Sequence, residues 1–469
     1  MTNSKPLRTL SLALACAAVT FSLAVCAQTQ TLTYLAQFNG TNGTFPYGSL
    51  IQATDGNFYG AAQSGTFPYD EIFRVTPSGQ ISSVYTFCSL PGCADGEYTT
   101  APVLGSDGNL YGVSSGGSDY TWSGVLYRLT LDGQLTTLYT FCPKANCVQL
   151  EIPNGIIQAS DGNFYGTTYE GGANQAGTIF QVSSTGKFKL LHSFCGGCAD
   201  GDAPLALPMQ GIDGNFYGTA LGYPDAGVVY ELTPSGIYTA IHTFCIPCFG
   251  GGNPVFSGLV QDSKGNLFGT TIYADSGYNT GSVFEITPTH QYILLHAFRF
   301  SGGVAPSRGL TLANDGNLYG VGVNDDFDSG GSYSIIYEVT PTGKFTTLST
   351  TYNSPNGPIL QSTDGNFYGT TLFVNDGGGY GLVFKLSNGL SPLVETVPVA
   401  GKVGRSVIIL GNGLTGTTSV TFNGVAAEFT VESDTYIKAA VPTGATTGTV
   451  SVVTPSGTLN SNPQFVVTK

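Results

Sequence analysis

The stretch DGNFYG occupies residues 55–60. It recurs letter for letter at 161–166, 213–218 and 364–369, with near copies at 107–112 and 315–320 (both DGNLYG) and at 264–269 (KGNLFG). Successive copies start 52, 54, 52, 51, 51 and 49 residues apart. A period of about 50 with strand-like content is the signature of propeller blades. The Asp-Gly pair marks a hairpin turn, because glycine takes positive φ without steric cost. The aromatic pair that follows puts one ring on each face of a strand, toward the blades on either side. The closing Gly is kept in all seven copies, which implies positive φ or a close approach by another group.

Reading outward from the second copy, residues 103–106 form a short apolar strand and 109–115 a second. Residues 124–130 (GVLYRLT) alternate as a third strand and 135–141 (LTTLYTF) as a fourth. Four strands joined by hairpins make one blade. The fourth-strand signature appears six times after a DGN unit, and the seventh unit ends near Leu386 without one. The missing strand precedes the first unit, at 32–38 (LTYLAQF). The expected architecture is therefore an all-β, seven-bladed β-propeller over 28–390, closed by its N-terminal strand so that no sheet edge stays open. Residues 391–469 lose the period and show short alternating strands between Gly-, Thr- and Asn-rich turns, as in an immunoglobulin-like β-sandwich.

The chain has 469 residues, 66 of them Gly, with 12% aromatic and 10% charged residues and a net charge of −14. That composition fits a turn-rich β protein, and it lacks the basic patch a nucleic-acid partner would need. Lys5 and Arg8, an apolar run to Val25 and the small residues around Ala27 read as a signal peptide over 1–27. The expected location is outside the cytoplasm, extracellular, on the cell surface or periplasmic, with lipidation at Cys26 as an alternative processing. No segment of the mature chain is long and apolar enough to span a membrane. Beyond the signal, eight cysteines form close pairs, each beginning right after a Phe: Cys88/Cys93, Cys142/Cys147, Cys195/Cys198 and Cys245/Cys248. In an oxidising compartment these are expected as local disulfides on the links between blades; two CxxC pairs sharing a zinc ion is the alternative. No metal, cofactor or phosphate-loop motif is otherwise indicated.

By the phrases DGNFYGTT, VF-x-[VIL]-T-P-x-G and LHxF, residues from about 30 to 390 resemble the GloVer (Gloeo-Verruco) tandem repeat of the bacterial choice-of-anchor repeat proteins. The phrases GRSVIILGNGL (404–414) and SVTFNGVAAEF (419–429) resemble an IPT/TIG domain, the immunoglobulin-like module of many bacterial surface proteins. The resemblance implies an exported, surface-associated protein and brings no catalytic residues with it.

Function is expected on the face opposite the Asp-Gly turns, where the long loops after the second strands emerge. Tyr120, Trp122, Tyr169, Tyr223, Tyr273, Tyr278, Phe327 and Tyr380 lie in those loops. Rigid aromatic rings beside small polar residues suit stacking on a glycan or gripping a protein. The sequence thus reads as a surface binding or adhesion protein and not an enzyme. The alternative is a secreted polysaccharide hydrolase or lyase using loop carboxylates such as Glu170. His192, His242 and His296 share one repeat position and read as surface residues of the outer strand. The run NDDFDSG (324–330) hints at a cation loop but lacks the closing Glu.

Overall fold

The computed structural model describes residues 30–65, 69–116, 124–141, 153–197, 199–222, 227–244, 258–272, 279–299, 305–306, 308–324, 333–351, 353–373 and 379–468. The expected signal peptide, the residues Tyr120, Trp122, Tyr223, Tyr273, Tyr278 and Phe327, the run 325–330, and Cys142, Cys147, Cys198, Cys245 and Cys248 lie outside them. The fold is all-β and propeller-like. Among the described residues the single helical element is one 3₁₀ turn, Pro91–Cys93, and no helix is long and apolar enough to cross a membrane.

Seven antiparallel sheets of four or five strands precede residue 391 among the described residues. The first runs Thr44–Gln52, Phe58–Gln63, Asp70–Val75 and Ile81–Thr86 in order. In the seventh, Leu360–Gln361, Phe367–Thr371 and Leu382–Ser387 are joined by Thr31–Gln37, which pairs with Leu382–Ser387 from Thr31↔Ser387 to Gln37↔Leu382. The N-terminal strand thus supplies that sheet's outer strand.

The turn motif explains itself once the atoms are placed. Its turn glycines, Gly56, Gly108, Gly162, Gly214, Gly265, Gly316 and Gly365, have φ between 78° and 88°. The Asp carboxylate accepts from the backbone and side chain of the Asn two residues on and from the Tyr hydroxyl four residues on, as Asp55 does with Asn57 and Tyr59 (3.1, 2.7 and 2.7 Å). Asp107, Asp161, Asp213, Asp315 and Asp364 repeat the arrangement. Neighbouring sheets stack through the aromatic pair: Tyr368 on Phe58 (4.2 Å), Tyr111 on Phe164 (4.6 Å), Tyr165 on Phe216 (4.1 Å) and Tyr319 on Phe367 (4.4 Å).

The closing glycines do not occupy the left-handed region. Each pairs across the ladder with an aromatic residue of the third strand: Phe73, Tyr127, Phe180, Tyr230, Phe284, Tyr337 and Phe384 in order. That ring lies over the glycine. A Cβ on Gly60 would stand 2.7 Å from Phe73 Cζ, and one on Gly269 2.6 Å from Phe284 Cζ. Phe and Tyr alternate along the chain at this place.

A second device ties sheet to sheet. Gln52, Gln158, Gln210, Gln261 and Gln361 end innermost strands, and each carbonyl Oε1 accepts the backbone N–H of a turn in the preceding sheet. Gln158 takes Ser106 N, Gln210 takes Ser160 N, Gln261 takes Ile212 N and Gln361 takes Asn314 N, at 2.8–2.9 Å. Gln52 reaches the seventh sheet and accepts from Thr363 N, Thr363 Oγ1 and Ser362 Oγ at 3.0–3.1 Å. The second and sixth sheets carry Leu104 and Leu312 at this position.

After residue 391, Glu395–Val397, Ser406–Leu410, Tyr436–Ala440 and Phe429–Val431 form one sheet. Val425–Ala426, Ser419–Phe422, Val450–Thr454 and Gly457–Asn460 form the facing one. Val407, Ile409, Val420, Phe422, Ile437, Val450 and Val452 fill the core between them. This unit docks on the Asp-Gly turns. Arg405 Nη1 donates to Ser160 O and Thr435 Oγ1 to Thr54 O, both at 2.6 Å. Asn412 Nδ2 donates to Thr363 Oγ1 (2.6 Å), and Asn462 Nδ2 to Leu312 O (3.0 Å).

Candidate functional site

On the long-loop face, two of the eight aromatic residues singled out from sequence fall within the described residues. Tyr169 is 41% exposed and Tyr380 46% exposed. Tyr380 belongs to a cluster. Its ring lies 6.0 Å from that of Phe45, which in turn meets Phe373 edge-on at 5.5 Å. Phe45 accordingly sits at φ 47°, a region bulky side chains avoid, and its N–H is held by Tyr380 O at 2.7 Å. The result is an aromatic shelf at the seam between the first and seventh sheets, with Tyr380 at its open rim. Phe45 and Phe373 carried no signal of their own in sequence, because the shelf joins residues more than 300 positions apart.

Beside the shelf the first sheet departs from its repeat. Asp70 and Glu71 begin its third strand, where the second sheet has Gly124 and Val125 and the fourth Gly227 and Val228. Both carboxyls are buried, each residue only 3% exposed. Asp70 Oδ2 accepts from Tyr47 Oη and from Thr99 N (2.9 Å), and Thr99 Oγ1 lies 2.9 Å from the Tyr127 hydroxyl. Burial pushes the Asp70 carboxyl up to about 6, although the Tyr47 and Thr99 donors pull the other way. Glu71 is raised by burial and by the charge of Asp70, with Ser83 opposing, and its Oε1 has no hydrogen-bond partner among the described residues. Comparing the copies at this column finds the pair; a search for catalytic motifs does not.

Cys88 and Cys93 are joined by a disulfide with Cα atoms 4.0 Å apart. Asp95 behind it accepts from Tyr85 Oη (2.7 Å), Ser89 N (3.0 Å) and Leu90 N (3.2 Å), so the link is folded onto its own outer strand. Cys195 is also disulfide-bonded. There the corresponding pair is His192 Nε2 and Asp200 Oδ2, 3.1 Å apart.

The three fourth-strand histidines differ from the surface reading. They are half-buried, each stacked on a ring of the next sheet: His192 on Tyr238 (4.1 Å), His242 on Tyr292 (4.7 Å) and His296 on Phe345 (4.4 Å). Desolvation lowers the affinity of all three for a proton, offset at His192 by Asp200. They serve as flat spacers between sheets.

Among the described residues the turn face holds a cleft of 630 Å³ between the turns of the fifth and sixth sheets and residues 461–464 of the C-terminal unit. Lys264, Asp262, Glu285 and Asp315 line it.

The Gloeobacter/Verrucomicrobia repeat model matches residues 98–333, just over half of the chain, and the IPT/TIG domain model matches 392–467. No curated protein sequence matches the chain. Similar solved structures include a gluconolactonase from Xanthomonas campestris, at 13% identity over 64% of this chain and 90% of that one with a TM-score of 0.39. An alpha-L-arabinanase from Penicillium chrysogenum is 12% identical over 76% and 98%, with a TM-score of 0.41. A puromycin hydrolase is 13% identical over 72% and 61%, with a TM-score of 0.39. The sequence-based expectation that the chain is not an enzyme is corrected here: solved structures similar to it include those of enzymes, alongside proteins of unknown function. At these identities and TM-scores none of their activities or residues is carried over. By its repeats the chain belongs to the Gloeobacter/Verrucomicrobia repeat family, and it bears an IPT/TIG domain at 392–467.

Proposed function

We propose that this is an exported surface protein whose loop face binds a glycan. In this reading 1–27 are a removed signal peptide, 28–390 a closed seven-bladed propeller and 391–469 a module that covers the opposite face. Ring closure is supported by Thr31–Gln37 in the seventh sheet, by Gln52 reaching Thr363, and by Phe58 stacked on Tyr368. The observation that carries the binding reading is the shelf of Phe45, Phe373 and Tyr380. Flat rings at an open rim meet the C–H faces of sugars while neighbouring polar groups meet hydroxyls. A second reading, polysaccharide hydrolysis or lysis, draws on Asp70, whose carboxyl near 6 lies in the range of a general acid.

Glycan-array screening followed by titration with the best oligosaccharide tests the proposal. Tyr380→Ala should lower affinity about tenfold, on the order of 1.4 kcal/mol. An array without a hit, or an unchanged affinity in the variant, would sink the shelf as the site. Reducing-end release by the parent that is lost in Asp70→Asn would favour the second reading.

A further inference from the structure

Seven turns obey one rule, and the fifth keeps it by a different route. Lys264 stands where the other six have Asp, and Phe268 where the others have Tyr. Asp262, two residues upstream, takes over the carboxylate's work. It accepts from Asn266 N and Nδ2, both at 2.9 Å, and from Lys264 N at 2.9 Å. The turn therefore needs nothing from position 264, which carries an exposed ammonium instead. A second departure lies next door: Leu312 occupies the place of the stitching glutamine, so no such amide crosses from the sixth sheet to the fifth. Both departures line the same 630 Å³ cleft, whose far wall is Ser461, Asn462, Pro463 and Gln464.

We infer that this cleft is a second ligand site, distinct from the loop face, that takes a small neutral saccharide. Its volume falls within the roughly 300–1,000 Å³ of ordinary ligand pockets. Three carboxylates, Asp262, Glu285 and Asp315, outnumber the one Lys264 ammonium among them, so the lining opposes an anionic ligand while offering both hydrogen-bond acceptors and a donor. Vicinal hydroxyls satisfy both, donating to a carboxylate and accepting from the ammonium, and Leu312, Ile212 and Pro463 offer apolar contact to the C–H faces of a sugar ring.

Titration of the full chain with cellobiose, maltose and lactose, read by calorimetry and ligand-observed NMR, tests the inference. At least one disaccharide should bind, with affinity falling tenfold or more in Lys264→Ala and in Glu285→Gln. Lys264→Asp combined with Asp262→Ala and Phe268→Tyr restores the motif with which the other copies fold, so it should melt with the parent and still lose binding. Ile293→Ala, on an exposed outer strand away from the cleft and the shelf, should leave it intact. Binding of none of the three sugars, full binding by the motif-restored variant, or loss in Ile293→Ala would each overturn the assignment.

Discussion

The smallest unit at which this chain can be understood is one ring lying over one glycine. Tyr127, Tyr230 and Tyr337 occupy equivalent places, yet only one has a described partner for its hydroxyl. Tyr127 meets Thr99 at 2.9 Å, whereas the hydroxyls of Tyr230 and Tyr337 are buried without a partner among the described residues. A buried polar group left unpaired costs about 1–3 kcal/mol, while one net hydrogen bond contributes about 1 kcal/mol. Tyr230→Phe should therefore hold or raise the unfolding free energy, and Tyr127→Phe should lower it by about 1 kcal/mol; equal losses in chemical denaturation would contradict the distinction. Asp70 gives a prediction in pH. Its folded carboxyl, near 6, is raised above the unfolded value of 3.8, so the folded state binds the extra proton. Its contribution is fully present below about pH 4 and is lost as pH rises through about 6. Asp70→Asn should flatten the decline in stability over that window, measured as denaturant midpoints at half-unit steps.

Between residues and the whole stand the stitches from sheet to sheet. Gln52→Leu is a substitution the repeat itself tolerates in shape, since Leu104 and Leu312 fill the same place. It would nonetheless strand three buried donors of Ser362 and Thr363, against one N–H for Gln158→Leu. We expect the first to cost about 2–4 kcal/mol and the second about 1–2 kcal/mol by thermal or chemical melting. Comparable losses would mean that the first-to-seventh seam is held like any other. The N-terminal strand bears on the same seam. Removing 30–38 should strip the seventh sheet of its outer strand and promote aggregation through the exposed edge, seen by light scattering.

At the level of the molecule, the C-terminal unit bonds to turns of the first, third, sixth and seventh sheets. Arg405→Ala should loosen it, detected as faster amide exchange at Thr54, Ser160 and Thr363 with little change in the sheets' own melting. The sheet architecture was legible in sequence because Asp-Gly turns and two-residue alternation are local signals repeated seven times. The docking was not, since it rests on single polar residues (Arg405, Asn412, Thr435 and Asn462) with no pattern to distinguish them from solvated ones. The histidines misled for a related reason: an outer strand looks solvent-facing when read alone, and only the next sheet's ring reveals the stack. Tyr380 could be named as a loop aromatic and its contact with Phe45 and Phe373 could not, because sequence shows which residues sit in a loop and says little about which loops meet. Asp70 and Glu71 become visible by lining up the copies and asking which one breaks the column.

The alternation of Phe and Tyr over the closing glycines has a consequence of parity. Two states can alternate around a ring without fault only when the number of places is even. With the seven places of the proposed ring one like pair is unavoidable, and it falls between Phe384 and Phe73, on the neighbouring seventh and first sheets. The same boundary gathers the borrowed N-terminal strand, the triply bonded Gln52 and the aromatic shelf. In that ring the mismatch sets this boundary apart, so the proposed loop face has a front, and a ligand approaching it would meet one distinct sector.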